Sequence, residues 1–263
     1  MSDEIVLIKF GGSLITDKSN ICEANYKNIK KLCRVVSEIR NLGKKIILVH
    51  GAGSFGHIKA KKWKLSEGID LENEYNQLKG VEVVRSDMIR LNEIIVSELK
   101  KISIESNTYI PHEHGEGIGI DFEFSSEFDK LVFSNSIPIT YGDVVDTEDD
   151  KKFGILSGDD ICEILCKKYN ISHVIFAIAG ADGLIDNPNL PNGGNLIEEF
   201  SLGDEIITKK VSNDVTGGMD LKITRALNCL KNSTRVSIIN GEKPDMIVNA
   251  VKGNKYLGTE LIL

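Results

Sequence analysis

No stretch of the 263 residues runs apolar for the roughly 20 positions that a membrane-spanning helix needs. Positive charge is also in short supply. The 32 lysines and arginines face 39 aspartates and glutamates, for a net charge of −7. That excludes a broad basic face for nucleic acid, so an anionic ligand has to be met by locally placed lysines. The five cysteines (22, 33, 162, 166 and 229) form no C-x-x-C pair and no metal-ligand spacing. Cys162 and Cys166 stand four apart, as small neighbours on a helix do. An odd count of cysteines, after an acidic Met1-Ser2-Asp3-Glu4 start with no export signal, points to a reducing cytoplasmic setting. No repeat, low-complexity segment or clear linker divides the chain.

What is present is an alternation of short apolar runs and amphipathic stretches. Ile5–Phe10 reads as a strand leaving through Gly11-Gly12-Ser13. Residues 24–42 carry Ile29, Leu32, Val35, Val36, Ile39 and Leu42 at helical spacing, and Gly43 ends them. Lys45–Val49 is the next strand. Asn73 to Lys101 reads as a helix with a break near Gly80, and "HEHGEGIGID" after Pro111 as a polar loop or lid. The pattern restarts near 135: strand "IPITYGD", a hairpin around "DTEDDKK", helix Gly158–Tyr169, strand His173–Ile178, helix Met219–Lys231 and strand Arg235–Ile239. Strands alternating with helices predict a parallel or mixed sheet covered by helices on both faces, a three-layer αβα sandwich. The restart suggests two lobes, about 1–135 and 136–263, within one domain.

The stretch "VHGAGSFGH" (49–57) contains G-x-G-x-x-G at Gly51, Gly53 and Gly56. A dinucleotide fingerprint needs an acid ending a strand some 20 residues on. The acids available, Glu67, Asp70 and Glu72, lie in a segment with no strand-like run. A Walker A loop fails as well, because Gly56 is followed by His57-Ile58. The chain instead shows two glycine exits from early strands, "KFGGS" and "HGAGS", and a third turn, "DVTGGM", opening a late helix that carries Lys222. Three such turns beside Lys9, Lys18 and Lys222 suit a ligand with several phosphates or two ligands facing each other, and phosphoryl transfer between two anionic substrates needs the second arrangement.

In order and spacing, "KFGGSLITDK", "VHGAGSFGH", "YGDVV", "SGDD", "GADGLIDNP" and "NDVTGGMDLK" resemble the amino-acid-kinase superfamily, and within it most closely the isopentenyl phosphate kinases. The resemblance implies an open αβα fold, a homodimer, and ATP-dependent phosphorylation of a small phosphate monoester with Mg2+ held mainly by the ATP phosphates. It implies that Lys9 and Lys222 bind ATP phosphates and the migrating group, and that Lys18 stabilises the transition state. Asp159 of "SGDD" would orient the lysines. Gly11, Gly12, Ser13, Gly53 and Gly218 would cradle the donor, with Asp182-Gly183 near the nucleoside. Ala52, His57 and Gly142 would face the acceptor. The N-terminal lobe would then be the acceptor side and the C-terminal lobe the ATP side.

Competing expectations come from the same residues. A small phosphonate, as in fosfomycin kinases, is the alternative acceptor, and a catalytically silent nucleotide sensor the alternative of another class. Asp160 reads as a helix cap and His50 as a structural strand-end residue. His112, Glu113 and His114 are expected to point outward as a lid, leaving Ile110, with Met88, Leu91, Ile94 and Ile95 of the preceding helix, to meet an acceptor's tail.

Overall fold

The computed structural model describes residues 4–17, 20–190, 193–201, 203–204 and 218–263. Its strands are β1 (Ile5–Phe10), β2 (Lys45–His50), β3 (Ser106–Thr108), β4 (Gly115–Glu116), β5 (Glu123–Phe124), β6 (Ile137–Tyr141), β7 (Asp143–Asp146), β8 (Phe153–Leu156), β9 (Ile171–Ile178), β10 (Leu184–Ile185), β11 (Leu196–Ile197), β12 (Glu199–Ser201), β13 (Ser233–Asn240) and β14 (Thr259–Ile262). The helices are α1 (Gly12–Ile15), α2 (Tyr26–Asn41), α3 (Gly53–Lys62), α4 (Glu74–Lys101), α5 (Pro111–His114), α6 (Ser126–Val132), α7 (Gly158–Lys168), α8 (Gly218–Leu230) and α9 (Pro244–Val251).

Eight strands form one sheet in the order β12-β14-β13-β9-β1-β2-β6-β3. All neighbours are parallel except β13 and β14. Apolar side chains cover both faces, as a mostly parallel sheet demands. Val6, Ile8 and Phe10 of β1 join a core with residues of α1 to α4 and α9. Ile5 and Leu7 join a second core with α6, α7 and α8. β1 pairs with β2 on one side and β9 on the other, so the chain order switches at β1. The crevice beyond the carboxyl end of such a strand is where open α/β sheets bind ligands.

Two local expectations change. The helix over 74–101 runs without a break at Gly80, where a Cβ would stand 2.6 Å from Trp63 Cδ2. The glycine there makes room for an indole ring lying on the helix. The strand read from "IPITYGD" divides at Gly142 into β6 and β7, and β7 pairs antiparallel with β8 across the expected hairpin. Among the described residues no helix is long and apolar enough to cross a membrane.

Candidate active site

Strand alternation decides where Lys9 points. It follows Ile5 and Leu7 on the face covered by α7 and α8, and its side chain is buried there. A buried ammonium needs a counter-charge. Asp159, in the first turn of α7, supplies it, with Oδ1 2.6 Å from Lys9 Nζ. The α7 start is held by a capping box. Ser157 Oγ accepts from the Asp160 N–H at 3.0 Å, and Asp160 Oδ2 accepts from the Ser157 N–H at 3.1 Å. From α8, Lys222 Nζ donates to both Asp159 oxygens at 3.1 Å. Two ammoniums thus share one carboxylate, and one positive charge remains for an anion.

The ionisation of the three groups follows from that sharing. Burial would raise the Asp159 carboxyl, but Lys222 and Lys9 hold it well below the usual range. Burial would likewise lower Lys9, and Asp159 outweighs it and raises the ammonium above its ordinary value. Lys222 is brought down to about 8, chiefly by burial and then by the positive charge of Lys9, with Asp159 opposing.

The two early glycine turns lie against each other. A Cβ on Gly12 would stand 2.2 Å from the Gly53 nitrogen, and one on Gly51 would stand 2.8 Å from the Gly12 nitrogen. Gly53 has φ +51° and faces Thr16 Oγ1, which accepts from the Ser54 N–H at 3.0 Å. These glycines are therefore required by loop-on-loop packing before any ligand is considered. Ser13 lies in the single turn of α1, and its side chain is exposed.

Ala52 caps α3 and His57 sits half-buried within it. Gly142 donates to His50 O at 3.0 Å, and a Cβ on it would stand 3.0 Å from the Gly158 nitrogen. A Cβ on Gly158 would in turn stand 3.1 Å from Lys9 Cε. The turn after β6 and the start of α7 therefore adjoin the lysine head group. His50 itself is fully buried, its ring 5.0 Å from that of Tyr141, and burial brings its pKa down to about 4. It is a neutral structural residue.

On the loop after β9, the Asp182 carboxylate takes Lys243 Nζ at 2.7 Å and Asn240 Nδ2 at 3.1 Å. Gly183 is buried where a Cβ would meet Thr259 Oγ1 at 2.4 Å. Gly218 is the first residue of α8. Lys18 and residues 214–217 of the third glycine turn lie outside the described residues.

The segment after Pro111 departs from expectation. His112 turns inward rather than outward, with Nδ1 2.6 Å from Asp143 Oδ2. The Asp143 side chain is wholly inaccessible and needs donors. The Val144 N–H provides one at 2.8 Å and the His112 ring provides the other. Glu113 and His114 remain substantially exposed, at 49% and 37% of their side chains. Met88, Leu91 and Ile95 are packed fully inside the core, while Ile94 and Ile110 keep some exposure.

Sequence reading missed Arg225. It binds Asp160 and Glu163 across the α7–α8 contact. Its signal was available: it stands three residues after Lys222, on the same helical face.

Comparison with known proteins places these features in a family. The amino acid kinase family model matches residues 4–240. The chain is 29% identical over 271 residues to an isopentenyl phosphate kinase of Methanocaldococcus jannaschii, covering 98% of each chain. It is 28% identical over 263 residues to one of Thermoplasma acidophilum, covering 97% of this chain and 99% of the other. A crystal structure of an isopentenyl phosphate kinase superposes with a TM-score of 0.81 at 25% identity, over 98% of this chain and 100% of that one.

Proposed function

The chain belongs to the amino acid kinase family, and from that premise we propose that it transfers the γ-phosphoryl group of ATP to isopentenyl phosphate, giving the diphosphate. The observation that carries the reading is the pair of ammoniums on Asp159 at the carboxyl end of β1, beside two abutting glycine turns. The relatives named for that reaction match along nearly the whole chain, which favours this acceptor over a phosphonate.

In this reading Lys9 and Lys222 bind the donor phosphates and meet the charge that spreads over the migrating group. Asp159 touches no phosphate and acts by orienting both lysines. The glycine turns at Gly11, Gly12, Ser13, Gly53 and Gly218 cradle the donor, with the Gly11 N–H itself donated to Ala177 O at 2.8 Å, and Asp182-Gly183 lie toward the nucleoside. Ala52, His57 and Gly142 face the acceptor phosphate, with His57 as a side-chain donor. Lys18 serves as a further stabiliser of the transition state. The acceptor's attacking oxygen is already anionic near neutral pH, so in-line attack needs no general base and no covalent enzyme intermediate.

Among the described residues no three His, Cys, Asp or Glu side chains group to hold a metal ion. Mg2+ would be held mainly by the ATP phosphates, whose charge it would neutralise. We assign acceptor binding mainly to the lobe of residues 1–135 and ATP binding mainly to 136–263, with Gly142 reaching toward the acceptor and Lys9, Gly11, Gly12, Ser13 and Gly53 toward the donor phosphates, in a cytoplasmic homodimer.

The test compares isopentenyl phosphate with fosfomycin and polar phosphate monoesters by kcat/KM in the presence of ATP and Mg2+. Isopentenyl phosphate is expected to lead. A polar acceptor ahead by more than about tenfold, roughly 1.4 kcal/mol, rejects the isoprenoid acceptor.

A further inference from the structure

Lys222 reaches Asp159 from α8, so α8 must sit on α7 at the correct height and rotation. The lysine cannot set that alone, being a compact charge on a flexible four-carbon stem. One turn further along both helices lies a contact that can. Arg225 Nη1 donates to Glu163 Oε2 at 3.0 Å, and Nε forms a close ion pair with Asp160 Oδ1 at 2.7 Å without hydrogen-bond alignment. Asp160 and Glu163 are three apart on one face of α7, so one guanidinium spans both.

Each carboxylate is independently fixed. Asp160 Oδ2 is engaged by the Ser157 hydroxyl at 2.6 Å, which leaves Oδ1 for the arginine. Glu163 also accepts from Asn228 Nδ2 at 3.1 Å and lies 2.8 Å from Lys167 Nζ. The core shared by the two helices holds Cys162 and Cys166 with Ile161 and Leu165 on α7, and Ala226 and Cys229 with Ile223 and Leu230 on α8.

We propose that Arg225 is a positioning residue for phosphoryl transfer, registering α8 on α7 through Asp160 and Glu163 so that Lys222 lands on Asp159. The inference rests on the kinase reading for what Lys222 does. A slip of one residue would move Lys222 by about 1.5 Å along the helix and about 100° around it. Misplacement by about 1 Å is enough to lower a rate about 10²-fold.

The experiment uses the full chain with ATP, Mg2+ and isopentenyl phosphate. Arg225→Gln is expected to lower kcat by about 10–100-fold with the acceptor KM within about threefold of wild type. Arg225→Lys, which can keep one of the two contacts, should recover part of the loss. Calorimetric binding of a non-hydrolysable ATP analogue without acceptor should weaken about tenfold, because Lys222 contacts the donor. In a Lys222→Met background, adding Arg225→Gln should remove less than about twofold more. Equal losses in the two backgrounds overturn the proposal.

Should Arg225→Gln fail to fold, Arg225→Met combined with Glu163→Gln neutralises the guanidinium and the carboxylate that accepts its hydrogen bond. A folded double variant with wild-type kcat overturns the proposal, and one with depressed kcat supports it. Separately, the unaltered chain could transfer phosphate to no monoester while Arg225→Gln still weakens analogue binding. The kinase reading then fails and the role of Arg225 stands.

Discussion

Lys222 stands 3.1 Å from both carboxylate oxygens of Asp159, 63 residues away in sequence. The same carboxylate holds Lys9, so the second ammonium is only partly compensated, and burial with the Lys9 charge brings its pKa down to about 8. In the proposed reading the protonated form binds phosphate. kcat/KM for ATP should therefore be level below pH 8 and fall about tenfold per unit above it. At saturating ATP the fall should shift upward, since bound phosphate favours the charged lysine. A pH–rate profile level to about 9.5 contradicts the assignment.

Removing Lys222 leaves Asp159 paired with Lys9, so the fold has no unpaired buried charge to resolve. Lys222→Ala and Lys18→Ala are expected to lose about 10²–10³-fold in turnover while thermal unfolding stays close to wild type. Lys9→Gln should also raise the ATP concentration needed for half-maximal rate. Wild-type turnover in either alanine variant would place the chemistry elsewhere.

His57 lies within α3, directly after the glycine turn, and in the proposed reading it faces the acceptor. His57→Ala should lower kcat/KM for the acceptor by about 10²–10³-fold and leave ATP binding, measured by calorimetry, near wild type. Parallel losses for both substrates would remove it from the acceptor site.

A methyl group on Gly12 would meet the Gly53 nitrogen at 2.2 Å. Backbone atoms cannot rotate away as a flexible side chain can, so Gly12→Ala must push the two turns apart. Denaturant unfolding should show a loss of about 1–3 kcal/mol, with ATP and acceptor both bound more weakly. An alanine variant with unchanged midpoint and unchanged KM for both substrates would show that the turns do not press together in solution.

Two buried histidines predict acid sensitivity. Burial holds His50 near 4 and His173 near 4, below the ordinary value of 6.5. The unfolded chain takes up these protons first as pH falls, so the folded state is at full stability above about 6.5 and loses it down to about 4. The shift corresponds to roughly 3 kcal/mol for each histidine at the low end. Chemical denaturation at pH 7, 5.5 and 4.5 should show the decline, and His173→Gln should flatten it. A midpoint constant from pH 7 to 4.5 would mean the rings are protonated in the fold or not buried.

How far the chain could be read without coordinates depended on the range of the forces involved. Ile5–Phe10, the helix that became α2 (Tyr26–Asn41) and the αβ alternation after residue 135 were legible, because periodicity and glycine stops act within a few residues. The glycine turns and the lysines beside them were legible as chemistry, because loop composition is local too. Three things were not. Gly80 looked like a break, and only the Trp63 ring packed over it explains an unbroken α4. His112 looked like a solvated lid residue, and only the inaccessible Asp143 carboxylate, 31 residues away, draws it inward. Arg225 went unread, although it stands three residues after Lys222, because only α8 packed beside α7 brings it to two buried carboxylates. Desolvation is a property of the assembled interior, and a buried charge finds its partner only where the packed layers bring one within reach.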